Sequence, residues 1–394
     1  MAKRNSRARR NIRRKAQAKE RDRGGQSTGQ LPELSTLTEL PAFDQLVCTP
    51  RQVEAFERYC DGATEGLSLG CVVRLDRGYP AVLTEDEVFR AEFSAQLTKS
   101  DFSRVAVGDW VAVRVPHGHD MGLIECILPR ESDIARWRGG SRGEKQTLAA
   151  NVNTVIVVQA LEEWRMSAGR VARSAVVASD CGARVAVVLT KADEAEPQVV
   201  SDACALLRNV LGEEVPLVVV SSTTDDQACP SQAAAAIEAG AMWGIDKVRA
   251  LVPSGEVAIM LGPSGVGKTT LLNALLGRDA LQTGAVRDSD GAGRHTTVAR
   301  RMVAIPGGGT IVDEPGLRTL QMVGHERGLA MVFPNIADAA RECRFRNCTH
   351  THEPGCMVQE RFGADEQDPR LQTYLTLANE MRESAQTLDP DIVI

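Results

Sequence analysis

Apolar positions fall into two patterns along this chain. Between residues about 66 and 132 they come in short runs: Cys71-Val72-Val73-Arg74-Leu75, Ala81-Val82-Leu83, Val88–Phe93, Trp110–Val115 and Gly122–Leu128. Some of these alternate apolar with polar residues, and turn residues such as Gly78 separate them. Five short strands of this kind predict a small barrel of the oligonucleotide-binding (OB) type. Strand number alone is equally compatible with another small β-domain. From about residue 150 the runs become apolar throughout: Thr154–Val158, Val185–Leu189, Leu217–Val220 and Val257–Leu261. Helical stretches over 169–180, 197–211 and 233–250 separate them. Strands buried on both faces and alternating with helices predict a parallel sheet covered on both sides. Past residue 325 the pattern is helical, and Leu371–Met381 predicts a helix packing its own apolar face. No internal repeat is visible.

A chain of 394 residues with 43% hydrophobic content is long and apolar enough for two or three cored domains. The expected division is 1–65, a basic flexible arm and linker in which part of 50–60 forms a short helix. The barrel follows at 66–132, an α/β domain at 145–324, and a mainly helical segment at 325–394. The mild net charge of −6 hides an asymmetry: residues 1–23 hold eleven Lys or Arg against Glu20 and Asp22. Such a run reads as an arm for a polyanion. It lacks the apolar core of a signal peptide, and its paired arginines and few apolar residues fit a mitochondrial presequence less well. No stretch is apolar and long enough to span a bilayer. Of the ten cysteines, Cys48, Cys60, Cys71, Cys126, Cys181, Cys204 and Cys229 are scattered singly. They read as buried thiols of a reducing, cytoplasmic compartment.

Chemistry enters with Gly262-Pro263-Ser264-Gly265-Val266-Gly267-Lys268-Thr269. A strand enters this segment and a helix from Thr270 leaves it, the context of a phosphate-binding loop. Its glycines let backbone N–H groups turn toward phosphate oxygens, Lys268 reaches the β and γ phosphates, and Thr269 supplies a hydroxyl to Mg²⁺. Ile311-Val312-Asp313-Glu314-Pro315-Gly316 supplies a second Mg²⁺-facing group, the Asp313 carboxylate, and a γ-phosphate N–H from Gly316. Between them, Gly291–Thr297 has the place of a switch loop, with Thr296 or Thr297 offering another hydroxyl. The plain alternative for that loop is a hairpin connection.

The base-reading candidate is Thr190-Lys191-Ala192-Asp193, directly after a buried strand, where ligands bind in open α/β sheets. Asp193 can accept two guanine N–H groups, a donor pair adenine lacks, while Lys191 covers the ring. Ser221 and Ser222, after the next strand, can support the base at O6. This motif precedes the phosphate loop, the reverse of the usual GTPase order, so the domain reads as circularly permuted.

Cys343-x4-Cys348-x-His350-x5-Cys356 gathers three thiols and an imidazole within fourteen residues. Soft ligands without a carboxylate suit a closed, structural Zn²⁺ site. His352 is an alternative ligand.

With these motifs in place the chain resembles the circularly permuted, ribosome-dependent GTPases called RsgA or YjeQ, over roughly residues 66–360. The likeness includes Leu148-Ala149-Ala150-Asn151-Val152, Gly-Arg-His-Thr-Thr at 293–297, the DxPG segment and the cysteine cluster, whose family spacing favours His350. It implies a GTPase that binds GTP or GDP with Mg²⁺ and carries one structural Zn²⁺. It further implies a monomer that acts late in maturation of the small (30S) ribosomal subunit, contacts 16S rRNA and is activated by the subunit. Two positions depart from the pattern. Thr190 stands for the usual Asn, which is expected to loosen a tie to the phosphate loop, and Glu314 stands for a Thr.

Leu317 occupies the place of the water-orienting Gln of Ras-like enzymes, so slow intrinsic turnover is expected. His295 is the switch side chain that can replace that Gln; the plain alternative is a structural loop histidine. GTP state is expected to reposition the zinc segment relative to the barrel. Two other functions fit parts of the sequence: a generic phosphate-loop ATPase, and an RNA-binding scaffold with a vestigial nucleotide site.

Overall fold

The computed structural model describes residues 39–62, 66–76, 79–95, 105–116, 121–138, 144–162, 167–221, 229–278, 300–313, 324–365 and 367–388, with Leu34, Leu97 and Met322. The first five strands are β1 (Ser68–Asp76), β2 (Tyr79–Leu83), β3 (Val88–Phe93), β4 (Trp110–Arg114) and β5 (Gly122–Ile127). They pair in the order β1-β2-β3-β5-β4, and β4 returns to β1, closing the barrel. β3 and β5 run parallel and the other neighbours antiparallel. Val72, Val82, Ala91, Val111, Val113 and Ile124 fill the interior. At the barrel surface a near-buried triad forms, in which Asp76 takes Arg74 Nε at 2.8 Å and Arg90 Nη1 at 2.7 Å.

The stretch before the barrel, expected as linker, carries α1 (Pro50–Asp61). Thr49 and Gln52 cap its start reciprocally: each side chain accepts the other's backbone N–H. Gln52 also donates to Pro129 O and Asn151 Oδ1, both at 3.0 Å. Between barrel and α/β domain lies a hairpin that the apolar pattern does not reveal, β6 (Asp133–Arg138) and β7 (Glu144–Ala150).

The α/β domain contributes β8 (Thr154–Ala160), α2 (Ala168–Asp180), β9 (Arg184–Thr190), α3 (Pro197–Leu211) and β10 (Leu217–Val219). The helix predicted over 233–250 is instead interrupted. α4 (Pro230–Glu238) ends, Met242–Trp243 form β11 beside β10, and α5 (Ile245–Ala250) begins after Gly244. Gly244 has φ +101°, outside any helix, and its N–H pairs with Val219 O, so the sheet edge captures this segment. β12 (Val257–Leu261), α6 (Lys268–Leu276), β13 (Arg300–Ala304) and β14 (Thr310–Asp313) complete the domain. Its strand order is β11-β10-β9-β8-β12-β14-β13, parallel except β13.

This order carries the functional geometry. The chain moves outward from β8 to β11, then returns to the sheet centre with β12. The crevice between the carboxyl ends of β8 and β12 is the switch point, where open α/β sheets bind ligands. The continuous apolar strands serve two faces: Val155, Val157 and Ile259 join α2 and α3 in one core, while Ile156, Val158 and Met260 join α5 and α6 in the other.

Past residue 324 come α7 (Glu326–Val332), α8 (Pro334–Arg341), α9 (Met357–Phe362) and α10 (Pro369–Leu388). Leu371, Tyr374, Leu377, Ala378 and Met381 form the buried stripe of α10. No helix among the described residues is long and apolar enough to cross a membrane.

Candidate nucleotide site and metal centre

β12 delivers the phosphate loop to the switch point. Gly262 has no room for a side chain: a Cβ there would lie 2.3 Å from Val158 O on β8. Gly267, at φ +89°, turns the chain into α6. Val266 is buried beneath the loop. Pro263, Ser264 and Gly265 form its outer turn, and Lys268 and Thr269, with Thr270, begin α6. Lys268 Nζ donates to Gly262 O at 2.7 Å and Pro263 O at 2.8 Å, which holds the ammonium across the loop mouth. Asp313 stands at the carboxyl end of β14, beside β12. Burial pushes its carboxyl upward, while the nearby Arg301 and Lys268 charges pull it down.

The structure brings the base-reading candidates to the same edge. Lys191, in left-handed backbone at φ +61°, turns the chain after β9. Ser221, after β10, lies with its Oγ 3.2 Å from Asp193 Oδ1 and can donate to that carboxylate. The expected loosening at Thr190 does not occur. Thr190 Oγ1 donates to Val266 O at 2.6 Å, so a short hydroxyl makes the tie to the phosphate loop. Burial of Thr190 against β8 brings it close enough that the longer amide is not needed. Glu162, which motif reading does not flag, pairs with Lys191 Nζ at 2.5 Å. Its place just past β8, at the switch point, was the available signal. Ser222, His295, Thr296, Thr297, Gly316, Glu314 and Leu317 lie outside the described residues.

The second cluster is local. Cys343, Cys348, His350 and Cys356 bring their ligand atoms within 4.8 Å of one another. His350 Nδ1 lies 3.5 Å from Cys343 Sγ and 3.6 Å from Cys356 Sγ, and the two sulfurs are 3.9 Å apart. A tetrahedral ion with Zn–S of about 2.3 Å and Zn–N of about 2.0–2.1 Å requires S···S near ~3.8 Å and S···N near ~3.5 Å. The four donors therefore fit Zn²⁺. His352 is exposed, and its Nδ1 sits 2.8 Å from Thr351 Oγ1, away from the cluster. His350 adopts φ +61°, and its carbonyl accepts from Gln359 Nε2 at 2.5 Å, which fixes the imidazole-bearing turn. The Cys356 thiol caps α9, accepting Gln359 N–H at 3.4 Å.

A phosphate loop at the switch point, with the candidate base-reading residues earlier in the chain, defines a circularly permuted phosphate-loop GTPase. The RsgA GTPase family model matches residues 127–323, and the chain belongs to the RsgA GTPase family. Two relatives named Small ribosomal subunit biogenesis GTPase RsgA come from Streptomyces avermitilis and Streptomyces coelicolor. The first is 41% identical over 80% of this chain and 80% of its own length, the second 40% over 83% of each. A Xanthomonas euvesicatoria relative of the same name is 33% identical over 79% of this chain and 80% of its own. Among solved structures, YjeQ from Thermotoga maritima aligns at TM-score 0.57 and 22% identity, covering 80% of this chain and 99% of that one. YloQ, described as a circularly permuted GTPase, aligns at TM-score 0.54 and 18% identity, over 81% and 96%. Family membership implies hydrolysis of GTP to GDP with Mg²⁺.

Proposed function

We propose that this GTPase binds the small ribosomal subunit, contacts its 16S rRNA and acts late in its maturation as a cytoplasmic monomer. The observation that carries the reading is the joined guanine site: Asp193 beside Ser221, with Thr190 tying that loop to the phosphate loop. It supports a guanine-specific switch in a chain whose relatives are named for subunit biogenesis.

In this reading Asp193 accepts the guanine N–H pair, Ser221 and Ser222 support O6, and Lys191 covers the ring. The N–H groups of Gly262–Thr270 surround the phosphates while Lys268 neutralises them. Thr269, Asp313 and Thr296 or Thr297 face Mg²⁺, which would neutralise charge building on the β and γ oxygens. Gly316 offers its N–H to the γ-phosphate. Cys343, Cys348, His350 and Cys356 hold Zn²⁺ as a closed cross-link with no position for a reacting water.

Leu317 cannot orient water, so turnover alone is slow, and subunit binding completes the site through His295. In the Ras case an activating partner supplies about 10⁵-fold, roughly 7 kcal/mol of barrier. The test is GTP turnover with and without purified small subunits. Strong stimulation, abolished by His295→Ala with GTP affinity retained, is the expected result. Equal turnover in both conditions would reject the partner-activated reading.

A further inference from the structure

Between the first two cluster cysteines the chain makes a knuckle, Arg344-Phe345-Arg346-Asn347, whose four residues are all exposed. Phe345 is 41% exposed, and of the exposed large apolar side chains described it alone has a basic residue on both sides. The knuckle is held at its base. Arg344 N–H donates to Gly355 O at 3.1 Å, and Cys348 N–H donates back to Phe345 O at 3.3 Å. Cys343 and Cys348 fix its two ends at the cluster. The Arg344 guanidinium lies 5.4 Å from the centroid of this partly exposed Phe345 ring, a cation–π distance.

Charge singles out the partner. The acidic groups around the knuckle are engaged elsewhere: Glu342 with Arg361, Asp338 with Arg341, and Glu353 by the N–H groups of Thr349, Thr351 and His352. Arg344 and Arg346 enter no ion pair among the described residues. An aromatic face flanked by two unneutralised guanidiniums on a rigid turn suits an unpaired nucleobase with its neighbouring phosphates.

We propose that this knuckle is an RNA contact in which Phe345 stacks on an unpaired base and Arg344 and Arg346 meet the flanking phosphates. The proposal rests on the subunit-binding reading above and adds the chemistry of one contact. It is tested with the full-length, zinc-loaded chain, titrated against a short unstructured RNA at several salt concentrations and against purified small subunits.

Phe345→Ala should weaken RNA binding on the order of tenfold with an unchanged salt slope. Phe345→Trp should keep the affinity, its added emission quenched by RNA. Arg344→Ala with Arg346→Ala should lower the log–log salt slope by about 1.4. Zinc content and subunit-free GTP turnover should stay at wild-type values in all three. Wild-type RNA affinity in Phe345→Ala, or Phe345→Trp emission blind to RNA, would overturn the contact. Loss of subunit binding with RNA affinity intact would assign the knuckle to a protein and overturn it equally. If the wild type ignores subunits yet binds RNA through Phe345, the contact stands and the subunit reading falls.

Discussion

The nucleotide-binding sheet is held from two sides in different ways. On its phosphate side the barrel joins it through backbone: β1 pairs with β13 at Arg74↔Arg301 and Leu75↔Arg300, making one continuous sheet. Glu39 O adds a bond from Ala304 N–H. On the base-reading side the cysteine-containing segment docks through helices. Asp180 on α2 takes His325 Nδ1 at 2.9 Å and Gly328 N–H at 3.1 Å, and Arg173 pairs with Glu380. Arg370 donates to Val210 O at 2.5 Å and to Val332 O at 3.0 Å, stitching α3 to α7.

The difference concerns which element feels the nucleotide. β13 is the neighbour of β14, which ends at Asp313, so two adjacent strands separate this candidate Mg²⁺-facing carboxylate from the barrel. The cysteine segment rests on α2 and α3, which cover the base-reading half of the sheet, away from Asp313. The barrel is therefore joined by backbone pairing to the strand beside Asp313, whereas the helical segment meets the sheet only through its covering helices.

The largest break in this comparison is loss of the zinc proposed for the cysteine cluster. Structural zinc contributes about 10–16 kcal/mol of apparent binding energy in small zinc domains at neutral pH, and that energy is folding energy. Chelation, or Cys348→Ala, should release protection from hydrogen exchange across α7–α10 while β8–β14 remain protected. If exchange rises equally in β8–β14, the two seams are not separable.

Next in size is the barrel's own triad. Asp76→Asn leaves Arg74 and Arg90 near-buried without their carboxylate, which should cost about 3–5 kcal/mol. Burial pushes the Asp76 carboxyl up, but hydrogen bonds from Arg74 and Arg90 outweigh it and hold it below the ordinary range. Its stabilisation is thus complete above the unfolded carboxylate pKa of about 3.9. It is lost as pH falls further, through the folded value. Acid unfolding of the barrel should show this loss in the wild type and lack it in Asp76→Asn; matching acid profiles would remove Asp76 from the account.

Gly328→Ala tests the helical seam with a smaller effect. A Cβ there would sit 2.1 Å from Val176 O and 2.8 Å from Asp180 Cβ, so α7 must back away from α2. Overpacking of this kind costs about 1–3 kcal/mol. Thermal unfolding should fall accordingly, with GTP affinity unchanged because neither β9 nor β12 is touched. Equal loss of GTP affinity would show that this seam reaches the nucleotide site.

The sequence carried the parts of the molecule whose signals are local. The clustered Cys and His side chains lie within fourteen residues, and the phosphate loop is one contiguous run between a strand and a helix. The apolar runs of β8, β9 and β12 are legible because both of their faces are covered. What escaped depends on tertiary context. Met242–Trp243 became an edge strand only because β10 offered a free edge. The β6–β7 hairpin followed no apolar alternation, and Glu162 acquires its role from Lys191, 29 residues away. No spacing rule could pair Asp180 with Gly328, 148 residues apart.

Thr190 gives the smallest effect and the sharpest reading of the nucleotide site itself. Its hydroxyl joins the loop after β9 to the carbonyl beneath the phosphate loop across 76 residues of sequence. Thr190→Val keeps the shape and removes the donor, leaving Val266 O without that partner. The expected cost is about 1 kcal/mol, which is roughly fivefold in GTP and GDP affinity. Thr190→Ser keeps the hydroxyl and should stay near wild type, and Thr190→Asn, which restores the commoner residue, should bind at least as well as Thr190→Ser if β8 leaves room for the amide. The loss must fall on both nucleotides alike, because the tie orders the two loops before the γ-phosphate is read. A loss confined to GTP would place Thr190 in the switch rather than in the base-to-phosphate tie.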